Sequence, residues 1–199
     1  MNNEAPQARR VVGVGEAEQS RAIDAIVMAF ASDPVIRWFY REAWRYLAHY
    51  GHFVGAFGGQ AFGEGTAWSL DDFAATAIWL PPTSRLNDET IVCHLESTVQ
   101  AEYLVDLFEV IGQMDAGHPP EPHWYLAWLG VDPAMQGRGL GNELLASCLS
   151  VVDADHAPAY LDNTNPANVP FYERHGFRVI GESHAGACPP LKGMIRDAR

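Results

Sequence analysis

A glycine-rich turn between a predicted strand and a predicted helix is the part of the chain best suited to chemistry. The apolar segment 124–131 is followed by Asp132-Pro133 and then by the run 136–141, Gln-Gly-Arg-Gly-Leu-Gly. The first turn of a helix carries unpaired backbone N–H groups and a partial positive charge, so it attracts phosphate. Glycines let a bulky diphosphate approach the backbone and adopt positive φ angles readily. The turn therefore predicts a site for a phosphate-bearing cofactor.

The spacing of these glycines distinguishes between the classes of phosphate-bearing cofactor. A dinucleotide fold needs G-x-G-x-x-G after its strand, and a P-loop needs a lysine followed by serine or threonine. The turn has neither pattern, but it has Gln136-x-x-Gly139-x-Gly141, which matches the acyl-CoA motif Q/R-x-x-G-x-G/A. In this segment the chain resembles the GNAT superfamily of acetyl-CoA-dependent acetyltransferases. Taken alone, the turn could instead only pack a helix against a sheet.

A second segment strengthens this resemblance. Residues 168–177 read N-V-P-F-Y-E-R-H-G-F, follow a predicted strand at 159–162, and have the pattern of a short capped helix that ends at a glycine. In the family, the asparagine contacts the pantetheine arm or orders the loop beside it, and the tyrosine lies near the thioester sulfur. The resemblance implies these roles for Asn168 and Tyr172. Their ordinary uses would be a helix cap and a buried aromatic.

Residues 119–182 resemble one branch of the superfamily, the puromycin N-acetyltransferases. The shared patterns are the P-x-W-[YF]-L-A strand, the Q-G-x-G-L-G turn and the N-x-P-F-Y-E-R-x-G-F helix. The N-terminal half, where acceptor specificity resides, agrees more loosely. We therefore expect a single domain over 1–199, with the acetyl-CoA core at about 119–182 and a loose tail at 1–8.

The order of predicted elements indicates an α/β fold with a mixed sheet. The resemblance implies a GNAT-like acyl-CoA acyltransferase fold, whose mostly antiparallel central sheet is splayed at the cofactor site and has helices on both faces. Helices are predicted over 16–31, 42–57, 87–114 (in two pieces), 137–153 and the Tyr172 segment. Strands are predicted over 10–13, 61–70, 74–80, 124–131, 159–162, 178–181 and 191–195.

The resemblance also implies a set of cofactor-binding residues. The end of the strand 124–131 would offer backbone groups to the acyl-pantetheine, with an N–H near Leu129 or Gly130 as the oxyanion donor, and the turn would hold the diphosphate. The full set is Leu129, Gly130, Val131, Gln136, Gly137, Arg138, Gly139, Leu140, Gly141, Asn168 and Tyr172.

The implied reaction is direct attack of an amine on the acetyl thioester in a ternary complex, so that positioning supplies much of the rate. Tyr172 is the candidate general acid or the group that positions the thiolate. Many relatives place a glutamate on the strand that corresponds to 124–131, but this strand has none. Asp162 is the first candidate base, unless it only caps the next turn. A water chain with His123 or Tyr125 is the second candidate.

The amino-acid composition limits the classes of partner that the protein is expected to bind. The 199 residues carry a net charge of −12 and a single lysine, which argues against nucleic acid and suits encounter with cationic amines. Three widely spaced cysteines predict no disulfide framework, no metal is expected, and no membrane segment or signal peptide is apparent in the sequence. A cytoplasmic protein is therefore expected, with a small-molecule amine as acceptor and a homodimer left open. A non-catalytic acyl-CoA sensor and a nicotinamide oxidoreductase are the alternative functions.

Overall fold

Seven strands form one sheet in a computed structural model that describes residues 9–199; the tail predicted at 1–8 lies outside them. The strands are β1 (Val11–Gly13), β2 (Ala67–Leu70), β3 (Ala75–Leu80), β4 (Trp124–Val131), β5 (Ala159–Asn163), β6 (Arg178–Ser183) and β7 (Leu191–Arg196). Their spatial order is β1-β2-β3-β4-β5-β7-β6. Neighbouring strands are antiparallel except for β4 and β5, which are parallel.

Helices cover both faces of this sheet. They are α1 (Gln19–Ala29), α2 (Pro34–Phe39), α3 (Ala43–Gly58), α4 (Gln60–Glu64), α5 (Asp88–Thr98), α6 (Ala101–Gly117), α7 (Leu140–Val152) and α8 (Val169–Arg174). One apolar core lies between the sheet and helices α1 to α6, and a second lies between the sheet and α7 and α8. The predicted mixed sheet with helices on both faces is confirmed.

The sheet opens where its two parallel strands meet. Strands β4 and β5 pair only through Trp124 with Ala159 and Tyr125 with Tyr160, although β4 continues to Val131. Beyond Tyr125 the two strands therefore diverge and leave a gap at their carboxyl ends. This gap is the predicted splay.

The N-terminal half departs from the predicted elements in two places. Residues 61–66 were expected in a strand, but α4 occupies 60–64 and ends at Gly65, whose φ is +73°. A short apolar run fits both the two-residue period of a strand and the 3.6-residue period of a helix. Here the run forms a helix that buries Ala61 and Phe62. Helix α2 is not among the predicted helices, because a proline after Asp33 can end one helix as well as begin another. The Asp33 carboxylate accepts the N–H groups of Val35 and Ile36 at 3.0 Å and so starts a new helix.

The buried face of α3 is not the one that the spacing of its apolar residues predicts. Spacings of four and three from Ala43 place Leu47 on the apolar face, but Leu47 is 70% exposed. Tyr46 and Phe53 are buried in its place, beside Tyr50 and Val54. Because this face packs aromatic rings against β4, it forms part of the cavity described below.

Candidate active site

The gap between β4 and β5 forms a cleft that brings several predicted residues together. Leu129 enters from β4, Asp162 from β5, Asn168 from the turn before α8, and Tyr172 from α8. Phe30, which follows α1, and Trp128 complete one wall of the cleft, with their rings edge to face at 5.4 Å. Residues from four separate segments therefore face one narrow space.

The glycine-rich turn opens α7 beside this cleft. Gly137 and Gly139 have φ angles of +74° and +81°, in the left-handed region that favours glycine. A Cβ atom built on either residue would meet nothing within 4 Å. Gly139 is the N-cap of α7 and offers no side chain to the first-turn N–H groups, which have no partner within a helix. The open space and the free donors fit a diphosphate.

Other residues of the turn shape it rather than face this space. The Gln136 side-chain amide donates to the Val131 carbonyl at 3.2 Å and closes the turn onto β4. Leu140 is buried in the core beneath α7, so only its backbone could reach a ligand. A Cβ on Gly141 would lie 3.2 Å from a Val131 methyl and 3.8 Å from the Phe171 ring. Gly141 therefore lets the two predicted motifs pack directly against each other.

Gly130 has a packing role that the sequence did not reveal. A Cβ at this position would lie 2.6 Å from the Cβ of Ala29, so the residue must be glycine for α1 to cross β4. Arg138 is exposed; its guanidinium donates to the Ala134 carbonyl at 3.4 Å, and its own carbonyl accepts from Arg9. The charged side chain of Arg138 lies at the amino end of α7 and does not line the cleft.

Tyr172 lies at the inner end of the cleft with 8% of its surface exposed. Burial raises the pKa of its phenol, and the nearby Asp33 carboxylate raises it further. A raised pKa favours the protonated form, so the hydroxyl remains a hydrogen-bond donor throughout the neutral range. The same shift makes the phenol a weaker acid, which favours a hydrogen-bonding role over proton transfer.

A cavity of about 280 Å³ opens from the same region toward the helices. Its walls are mostly apolar side chains of α2, α3, α5 and α6, including Phe39, Phe53, Ile91, Leu95, Val110 and Met114. Its polar residues are Asp88, Asp115, His118, Asp162 and Thr164. Ala127, Trp128, Asp162 and Thr164 line both this cavity and the cleft. The two spaces therefore meet at Asp162.

The Asp162 carboxylate is 2% exposed and is held by three neighbours. The Tyr160 hydroxyl donates to Oδ1 at 3.0 Å and the Tyr125 hydroxyl donates to Oδ2 at 3.3 Å. His118 Nε2 lies 3.5 Å from Oδ2. In the turn after β5, the backbone N–H of Asn165 is accepted by Asn163 rather than by Asp162. This geometry does not fit the use of Asp162 as a cap.

His118 is the residue that sequence reasoning missed. It is the first residue after α6, in the proline-rich loop that leads to β4. Its Nδ1 lies 3.1 Å from Nε2 of His123, and His123 Nδ1 lies 2.8 Å from the Glu121 carbonyl. The two histidines five residues apart were the available signal, but only the fold places His118 next to Asp162.

Residues 66–177 match the model of the acetyltransferase (GNAT) family, and this match spans more than half of the chain. The protein belongs to the GNAT family. It is therefore an acetyl-CoA-dependent acyltransferase, and the open glycine turn next to the β4–β5 gap fits the diphosphate of this donor.

Individual GNAT relatives match almost the whole chain at low identity. An uncharacterized N-acetyltransferase of Schizosaccharomyces pombe is 22% identical over 207 residues, which cover 90% of this chain and 80% of the relative. Arylalkylamine N-acetyltransferase 2 from Aedes aegypti superposes with a TM-score of 0.68 at 12% identity, over 97% of this chain and 100% of that one. Drosophila melanogaster polyamine N-acetyltransferase superposes with a TM-score of 0.63 at 13% identity, over 95% and 99%. These superpositions show a shared fold.

The described part of this GNAT chain has neither a metal-binding cluster nor a membrane-spanning helix. Within residues 9–199, no three His, Cys, Asp or Glu side chains are grouped so that they could hold a metal ion. His49 and His52 on α3 instead pack near His94 of α5, with ring centroids 6.4 Å from the His94 ring. In the same part of the chain, no helix has the length and apolarity needed to cross a membrane.

Proposed function

We propose that the protein transfers the acetyl group of acetyl-CoA to the primary amine of a small molecule with an apolar body. The observation that carries this proposal is the meeting of the cleft and the apolar cavity at Asp162. The amine would approach from the cavity and the thioester from the cleft. The carboxylates of Asp88, Asp115 and Asp162 would attract the cationic amine, as does the net charge of −12.

The donor would be held by groups along the cleft and the turn. The first-turn N–H groups of α7, exposed by Gly137 and Gly139, would bind the diphosphate. Backbone groups of Leu129, Gly130 and Val131 and the side chain of Asn168 would bind the acyl-pantetheine arm. Gln136 and Gly141 would act by shaping the turn, and Arg138 by its charge.

The chemistry would follow from placing the two reactants in contact in a ternary complex. The amine nitrogen attacks the thioester carbonyl, whose oxygen accepts a backbone N–H near Leu129 or Gly130. Asp162 takes the proton that the nitrogen loses, because it lies where cleft and cavity meet. The Tyr172 hydroxyl donates a hydrogen bond to the departing sulfur and stabilises its charge.

The walls of the cavity predict which amines react fastest. Burial of each methylene contributes about 0.8 kcal/mol, or about fourfold in kcat/KM when the group binds equally in the transition state. We expect phenethylamine, tryptamine and hexylamine to react at least about tenfold faster in kcat/KM than ethanolamine, or than agmatine with its second cation. The mosquito and fly relatives carry names of arylalkylamine and polyamine enzymes, so both classes belong in the test.

The experiment is an assay of thiol release from acetyl-CoA with this amine panel, in which mass spectrometry identifies the acetylated product. Puromycin is included, because the resemblance to its N-acetyltransferase branch remains a prediction. If acetyl-CoA binds and no amine gives thiol release, the proposal is wrong. If ethanolamine and hexylamine react equally well, the assignment of the apolar cavity to the acceptor is wrong.

Tyr172→Phe tests the role of the tyrosine. A hydrogen bond to a charged sulfur contributes about 1.5 to 3 kcal/mol, so we expect kcat to fall by about 10- to 100-fold. Because burial raises the pKa of the phenol, it is protonated at all neutral pH values, and the factor should be constant from pH 6 to pH 9. Tyr103→Phe, which removes a phenol packed against Trp38, is the control and should leave kcat unchanged. Unchanged turnover of Tyr172→Phe over this range would exclude the role.

A further inference from the structure

The loop before β4 fixes the position of the proton on His123. Nδ1 of this residue lies 2.8 Å from the Glu121 carbonyl oxygen, which can only accept a hydrogen bond. Nδ1 must therefore carry a hydrogen. Burial lowers the pKa of His123, so the ring is neutral at neutral pH. A neutral ring with its hydrogen on Nδ1 presents a lone pair at Nε2.

The same reasoning extends to His118. Its Nδ1 lies 3.1 Å from the Nε2 lone pair of His123, so Nδ1 of His118 is the donor. A neutral His118 then has no hydrogen left for Nε2, which faces Oδ2 of Asp162 at 3.5 Å. The ring packs against the Tyr160 and Tyr125 rings, whose centroids lie 4.5 Å and 4.9 Å away.

The Nε2 lone pair of His118 therefore faces the Oδ2 oxygen of Asp162, and the two repel each other. A proton shared between these atoms would replace the repulsion with an ion pair. The Tyr125 hydroxyl also donates to Oδ2, and the Tyr160 hydroxyl donates to the other oxygen, Oδ1. The remaining titratable groups around the pair are Asp115 on α6, Asp88 on α5 and Glu121 in the loop, and all are acidic.

We infer that His118 is a positioning residue that strengthens Asp162 as the base, and that His123 fixes the tautomer of His118 for this purpose. This inference rests on the proposed function, because it takes the acceptor amine as the source of the proton. Acetyl transfer forms one C–N bond, breaks the C–S bond and leaves its electron pair on sulfur. The amine proton passes to the Asp162 carboxylate, is held between Oδ2 and Nε2, and leaves to solvent before the next turnover.

The first test needs neither amine nor acetyl-CoA. Two-bond ¹H–¹⁵N spectra of the full chain with ¹⁵N-labelled histidine report which ring nitrogen carries the hydrogen. Above the pH at which the shared proton is lost, we expect His118 and His123 both to carry it on Nδ1. In His123→Gln, whose amide can donate as well as accept, His118 should change to the Nε2 form. A wild-type His118 with its hydrogen on Nε2 would overturn the inference.

The second test is the pH dependence of kcat/KM with the best amine of the panel. In the wild type, activity should rise with pH as the shared proton is lost. In His123→Gln, neutral His118 can donate a hydrogen bond to Asp162 without an extra proton, which makes the carboxylate a weaker base, so this rise should move to lower pH. His123→Asn repeats the test should the first variant fold poorly, and His184→Gln, an exposed histidine, is the control.

The outcomes separate the two proposals. A rise that does not move in the folded variants, together with acetylation of the amine, overturns the inference and leaves the proposed function standing. Absence of acetylation with every amine overturns the proposed function, and the tautomer measurement still decides whether His118 is held as inferred.

Discussion

Asp162→Asn is expected to lower kcat/KM for the amine by about 10²- to 10⁴-fold, the range typical of the loss of a general base. The amide has nearly the same shape as the carboxylate but cannot take a proton from the amine. Affinity for acetyl-CoA should change by less than about twofold, because the diphosphate turn lies at the other end of the cleft. Steady-state kinetics and calorimetric titration with acetyl-CoA measure the two effects.

The control for this substitution is Asp155→Asn. Asp155 also accepts a hydrogen bond from an aromatic side chain of β4, here Trp124 at 3.0 Å, but it lies outside the cleft and the cavity. Both variants should lose some stability, since each leaves an aromatic donor with a poorer acceptor. Only Asp162→Asn should lose activity. Equal activity of the two variants would show that the amine loses its proton elsewhere.

The second large effect is expected at the turn before α7. In Gly139→Val, a β-branched side chain must adopt a φ of +81°, which is unfavourable, and its Cβ fills the open space next to the first-turn N–H groups. The substituted turn should relax away from this conformation, and restoring it on binding would cost about 3 kcal/mol together with the clash, so the Kd for coenzyme A should rise about 100-fold. Titration calorimetry with coenzyme A measures the change without any acceptor.

A second variant separates the two causes of this loss of coenzyme A affinity, and a third is the control. Gly139→Asn keeps a residue that tolerates positive φ, so its Kd should lie between those of the wild type and Gly139→Val. Gly112→Ala on α6 adds a methyl group with no neighbour within 4 Å and should raise stability by about 0.5 to 1 kcal/mol without changing the Kd. An unchanged Kd in Gly139→Val would place the diphosphate away from this turn.

The elements that would form the donor side follow the sequence prediction closely, because they are encoded locally. Strand β4 has the predicted bounds, and the glycine turn and the helix with Tyr172 follow in the predicted order. Each feature depends on residues within a few positions of one another. Gly137 and Gly139 adopt positive φ angles, and this backbone freedom of glycine is the property on which the prediction of the turn rests.

The acceptor side could not be predicted in the same way, because it depends on long-range packing. His118 and Asp162 are 44 positions apart in the chain, and nothing near either residue indicates that they meet. The Asp33-Pro34 pair is consistent with both the end of one helix and the start of another, and Asp33 also accepts the Thr164 hydroxyl at 2.6 Å, a contact set only by the fold. For Gly130, the packing against Ala29 is equally invisible in the sequence.

The walls of the apolar cavity come largely from α2, α3, α5 and α6, whereas the glycine turn, Asn168 and Tyr172 all follow β4. On the proposed function, the chain would divide the recognition of its two reactants between these two parts, whose linings share only a few residues. Substitutions that reshape the helical walls can accumulate without touching the turn. Such an arrangement lets a lineage exchange one amine for another while keeping its acyl donor, and it marks helices α5 and α6 as the place to redesign acceptor preference.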